Sequence, residues 1–111
     1  MKVPKSTPYR NKKHLMNVAQ LECQVCGKDG LTQAAHSNWS KHGKSFARKA
    51  DDQYTAAMCM FCHQELDQGW MLTKEQRQAM WDMAWRKTVK RLVAEDKWPL
   101  DIPVPQEVVD Q

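Results

Sequence analysis

No apolar stretch in this chain exceeds a few residues, far short of the roughly 20 that a membrane-crossing helix needs. The basic N-terminus, Met1-Lys-Val-Pro-Lys-Ser6, has no apolar run behind it. It therefore does not read as a secretory signal, and a cytoplasmic setting with no membrane partner is expected. No internal repeat or low-complexity segment interrupts the chain, which excludes solenoids and argues against disorder. Residues 1–14 contain no acid.

What is present is one small domain. The chain has 111 residues, 41% hydrophobic and 27% charged. That is enough for only a modest core, of the kind that often needs a metal or disulfides to hold it. The net charge of +4 is mild, but it is segregated. Lys2, Lys5, Arg10, Lys12 and Lys13 open the chain; Lys41, Lys44, Arg48 and Lys49 follow in the middle, then Arg86, Lys87, Lys90 and Arg91. From Glu95 onward acids dominate. A segregated basic surface suits a phosphate backbone.

The pattern predicts an α+β fold. Residues 1–10 read as a basic extended arm, and Leu15, Val18 and Ala19 fall at helical spacing between Lys12 and Gln20. Leu31 to His36 and Tyr54 to Met58 read as short strands. Residues 37–53, polar and glycine-containing, read as a surface loop. A short helix from Cys59 should end at Gly69. Thr73 with Gln76 three residues on has the capping-box pattern. The helix it opens should reach about Glu95, with Met80, Trp81, Ala84, Trp85, Thr88 and Leu92 on its core stripe. These readings divide the chain into the arm (1–10), a core (11–72), an amphipathic helix (73–98) and a proline-rich acidic tail (99–111). Pro99, Pro103 and Pro105 are expected to exclude a further helix from the tail.

Cys23-x-x-Cys26 and Cys59-x-x-Cys62 are matched metal-ligand pairs. Two such pairs complete the four-thiolate tetrahedron that zinc favours in structural sites. One pair lies in a glycine turn and the other at a helix start, the treble-clef arrangement. Two disulfides, a redox pair and free thiols are the competing readings. A saturated thiolate site leaves no position for water, so any chemistry must lie elsewhere. His14 and His42, in basic or polar surroundings, are expected at the surface. His36 and His63 stand apart because one ends the first strand and the other follows the last cysteine. A ββα unit would let these two face one phosphate.

The order Cys-x-x-Cys, Ala-Ala-His36, a Gly/Lys-rich loop, Asp52-Gln-Tyr54-Thr55, then Cys-x-x-Cys-His63 with Asp67 four residues on resembles the HNH (ββα-metal) endonucleases. The likeness is closest to their small phage and prophage members and covers about residues 10–70. It implies that His36 is the general base that activates water. It also implies that His63 holds a divalent cation such as Mg2+ or Mn2+, with Asp67, and Asp52 from nearby, as further ligands. Ala35 stands where many members have a metal ligand, and Tyr54 stands near the place of their middle Asn. Lys41, Lys44, Arg48 and Lys49 would hold the DNA backbone, with no sequence readout. Trp39 would either stack on a base or pack. The helix after Thr73 would either close the core or join two copies in a homodimer. A non-catalytic treble-clef module that binds DNA or a protein is the other function the pattern allows.

Overall fold

Helix α1 (Lys12–Ala19) begins where the Asn11 side chain accepts the His14 backbone N–H, satisfying one of the orphan donors of a first turn. The structure is a computed structural model that describes residues 7–46 and 48–109. Lys2 and Lys5 of the expected arm lie outside the described residues. After the turn carrying Cys23 and Cys26 come β1 (Thr32–His36), a single 3₁₀ turn (Ser40–His42) and β2 (Thr55–Cys59). The strands pair antiparallel, with Ala34 opposite Ala57 and His36 opposite Thr55. Cys59 caps α2 (Met60–Gln68), which stops at Gly69. Thr73 and Gln76 form the complete capping box of α3 (Lys74–Ala94). The fold is α+β, with one two-stranded sheet and four helices among the described residues.

Alternation along the strands divides the core between two faces. Ala35, Ala56 and Met58 pack against Leu66 of α2 and Trp81, Ala84, Trp85 and Val89 of α3. On the opposite face Ala57 meets Val18, Leu21 and Leu92, with Ala34 packed against them. Four alanines in the hairpin let helices approach both faces closely, and tryptophans fill the remaining volume. Each buried indole N–H finds a carbonyl: Trp81 donates to Ala35 and Trp85 to Gln53. The stripe of α3 thus closes the core of its own chain. This helix also crosses the edge of β2, where Thr88 Oγ1 accepts the Ala57 N–H at 2.9 Å and donates to Ala84 O at 2.7 Å.

Three expectations require correction. The prolines do not exclude a helix from the tail: α4 (Gln106–Val109) follows Pro105 directly. Proline at a helix start costs no hydrogen bond, and Val108 buries against the main core. Residues 37–53 are not simply a surface loop, since Ser37, His42, Ala50, Asp51 and Asp52 are buried and only part of the segment projects. His14 and His42 are core residues. His14 packs edge-on against Trp98, while His42 stacks on Tyr54 with ring centroids 4.1 Å apart and pairs its Nδ1 with Ser37 Oγ at 2.6 Å. A neutral imidazole is a flat ring that packs like an aromatic, which polar neighbours in sequence do not reveal. Among the described residues no helix is long and apolar enough to cross a membrane.

Candidate functional site

The four cysteines converge. Their sulfurs all lie within 4.8 Å of one another, and among the described residues they are the one group of three or more His, Cys, Asp or Glu side chains placed to hold a metal ion. Cys26 Sγ and Cys59 Sγ are 3.7 Å apart, and the cysteines are free thiols rather than disulfides. A zinc–sulfur bond of about 2.3 Å gives a tetrahedral S···S edge of about 3.8 Å, so this spacing is compatible with structural zinc. Backbone N–H groups aim at the sulfurs, from Val25 and Cys26 to Cys23 and from Cys62 to Cys59. Burial acts most strongly on the Cys23 thiol and raises its pKa. The opposing backbone donors of Cys26, Cys59 and Val25 prevail, bringing it down to about 6.

His36 leaves the end of β1 on the face shared with Ala34 and Thr32, and its Nε2 lies 2.9 Å from Asp52 Oδ1. Asp52 is only 1% exposed. It also accepts the Asn11 backbone N–H at 2.7 Å and approaches Arg10 Nη1 at 3.4 Å. A carboxylate only accepts, so the imidazole proton sits on Nε2 and the lone pair on Nδ1. Burial lowers the His36 pKa, Asp52 pulls it back up, and Lys49 and Arg10 lower it further. The result is a neutral imidazole held in one tautomer, with 16% of its side-chain surface still open.

His63 faces the other side of the hairpin. Its Nδ1 meets Gln33 Oε1 at 2.8 Å, and Nε2 lies 3.2 Å from Asp67 Oδ2, one helical turn on. Asn38 Nδ2 reaches the other oxygen of Asp67 at 3.4 Å. Gln33 and His36 are three residues apart on one strand, so their side chains point to opposite faces. Two pairs therefore form, His36 with Asp52 and His63 with Asp67. Asp52, expected near His63, pairs with His36.

Of the basic residues, Lys49 and Arg10 lie near enough to His36 to act on its charge. Arg10 donates to the carbonyls of Ala50 and Lys49, tying the start of the described chain to the root of the basic segment. Lys41 Nζ lies 4.5 Å over the Trp39 ring, and that ring also packs on Trp81 and His42. Trp39 is thus a packing residue. Gly43 has φ +98°, and a Cβ there would come within 2.9 Å of Asp51 Oδ1, so only glycine fits where the basic segment leaves the body. Sequence reasoning missed Arg10 and Gln33 as parts of these sites. Both act across sequence-distant contacts, and only the strand parity of Gln33 offered a local signal. No family model, no curated protein and no solved structure matches the chain.

Proposed function

We propose that the chain is a metal-dependent DNA endonuclease of HNH type, stapled by structural zinc in a treble-clef arrangement. The observation that carries this reading is the His36–Asp52 pair at the end of β1, beside Arg10 and Lys49. Asp52 holds the Nε2 proton, so Nδ1 takes a proton from water as that water attacks the phosphorus in line, and the carboxylate stabilises the imidazolium formed. Arg10 and Lys49 supply positive charge for the phosphate.

The donor chemistry on the other face suits a divalent cation. Both His63 nitrogens face oxygens, Nδ1 that of Gln33 and Nε2 that of Asp67, and a cation would take the place of a proton between Nε2 and the carboxylate. His63 and Asp67 would hold that ion, with remaining positions left to water and phosphate oxygens as is usual for Mg2+. When bound, it supplies stabilisation of charge on the phosphate and the leaving oxygen. Gln33 and Asn38 keep the two ligands oriented.

The reading predicts that purified protein nicks or cuts DNA when Mg2+ or Mn2+ is added. His36→Ala should keep the fold and lose activity by roughly 10²- to 10⁴-fold. Activity should fall as pH drops and His36 protonates, with its inflection below the ordinary histidine value of about 6.5. Lys49→Ala should move that inflection upward by removing a like charge. Undiminished cutting by His36→Ala would defeat the mechanism. A second reading, a non-catalytic module that binds DNA or a protein, is favoured by the opposite-face placement of His36 and His63. Absence of cleavage by the wild type with either metal would select it.

A further inference from the structure

The basic segment ends in an aromatic tip. Ser45 and Arg48 exchange backbone hydrogen bonds at 3.0 and 3.3 Å, closing a tight turn that starts with Phe46. The Phe46 side chain is fully exposed. Between Lys41 and Ala50 the chain has four cations, Lys41, Lys44, Arg48 and Lys49, and no acid. Gly43 launches this ribbon and Arg10 anchors its root, so the apolar tip is presented by a built support and not by chance exposure. From the protein's own stability nothing is gained, because a phenyl ring left in water forgoes its whole burial energy.

We propose that Phe46 is a wedge that inserts between stacked bases of duplex DNA while the cations around it hold the phosphates. Apolar side chains set among basic residues unstack base steps in this way. The proposal rests on the DNA-cutting reading, which supplies the choice of partner. An anionic membrane would also attract a basic aromatic tip, but the ribbon's root lies beside the His36–Asp52 pair. Arg10 contacts both Lys49 O and Asp52, so the ribbon's root stands next to that pair. From Lys49 to Phe46 the chain spans at most about 10 Å, or roughly three base steps. The step opened by Phe46 therefore lies within about three steps of the phosphates held at Lys49. Trp39, the aromatic that the sequence suggested for stacking, is half-buried and packs on Lys41, Trp81 and His42.

The test uses zinc-loaded protein without added Mg2+ or Mn2+, on a duplex of about 20 base pairs carrying 2-aminopurine at successive positions. That base analogue brightens when unstacked. Wild type should brighten it at one or two adjacent steps. Phe46→Ala should abolish the signal and weaken binding roughly ten-fold with the salt dependence unchanged, since no phosphate contact is lost. Phe46→Trp should restore the signal, and Lys44→Ala should lower the salt slope by about one. Wild-type binding with no brightening, or equal binding and signal for Phe46→Ala, would overturn the wedge. A response confined to the single strand would replace insertion by stacking on unpaired bases. Binding to phosphatidylglycerol vesicles that depends on Phe46, with DNA indifferent to it, would make the tip a membrane probe instead. Brightening without cleavage when Mg2+ is restored would sink the nuclease reading and leave the wedge standing.

Discussion

His42 shows how a single buried ring couples stability to pH. Burial, with Lys41 adding to it and Glu107 and Asp82 opposing, lowers its pKa to about 4. The unfolded chain binds the proton at about pH 6.5, so between these values unfolding takes up a proton that the folded ring refuses. The stabilisation is fully present above about pH 6.5 and is lost as pH falls toward 4. Its magnitude is roughly 3 kcal/mol. Burial also lowers the pKa of His14, with Asp52 opposing, and this acts in the same direction. Urea unfolding at pH 7 and pH 4.5 should show a steep loss in wild type and a shallower one in His42→Gln. Equal pH dependence of the two proteins would show that His42 does not carry the effect. His36 lies in the same regime but keeps its acid partner and an open face, which separates a ring suited to proton transfer from one suited to packing.

Among the elements, the β2–α3 contact is the one that braces the sheet both on a face and along an edge. A two-stranded sheet is marginal by itself, and this one is supported on both faces and along one edge. Thr88 occupies an interior helical position where a hydroxyl commonly bonds back to the preceding turn, as it does with Ala84 O. The same oxygen takes the outward N–H of Ala57, which would otherwise be a buried orphan. Thr88→Val should therefore cost about 1–3 kcal/mol in a denaturant titration, while Thr88→Ser retains most of it. A loss no greater for valine than for serine would show that the hydroxyl contributes nothing. The sequence placed Thr88 on the core stripe of α3 but offered no sign that it serves a strand edge, because that role depends on where β2 falls against the helix.

At the scale of the whole molecule, the metal-ready cysteines join the turn after α1 to the junction of β2 and α2. Cys23 is held by the Lys28 carbonyl and Gln24 by that of Ala57, so the knuckle is sewn to the same strand that α3 supports. With little core to spare, ligation of a metal by these cysteines would supply a large share of folding free energy. Chelation at neutral pH, or Cys59→Ser, should remove the cooperative thermal transition seen by circular dichroism, and zinc should restore it to the chelated wild type. A chelated protein that melts unchanged would show that the core suffices alone.

Several parts of this fold follow from local chemistry. Asn11, Thr73 and Gly69 mark helix ends by their own hydrogen bonds and backbone preferences, and two matched Cys-x-x-Cys pairs suggest a four-thiolate metal site from spacing alone. The stripe of Trp81, Ala84, Trp85, Thr88 and Leu92 is legible because helical periodicity is a property of neighbours along the chain. Tertiary structure decided the rest. It buried His14 and His42, gave Asp52 to His36, and set His63 with Gln33 and Asp67 on the opposite face. It also left Phe46 fully exposed and Trp39 half-buried in packing contacts. Each of these depends on strand register and on contacts between residues far apart in the chain, which no local window contains.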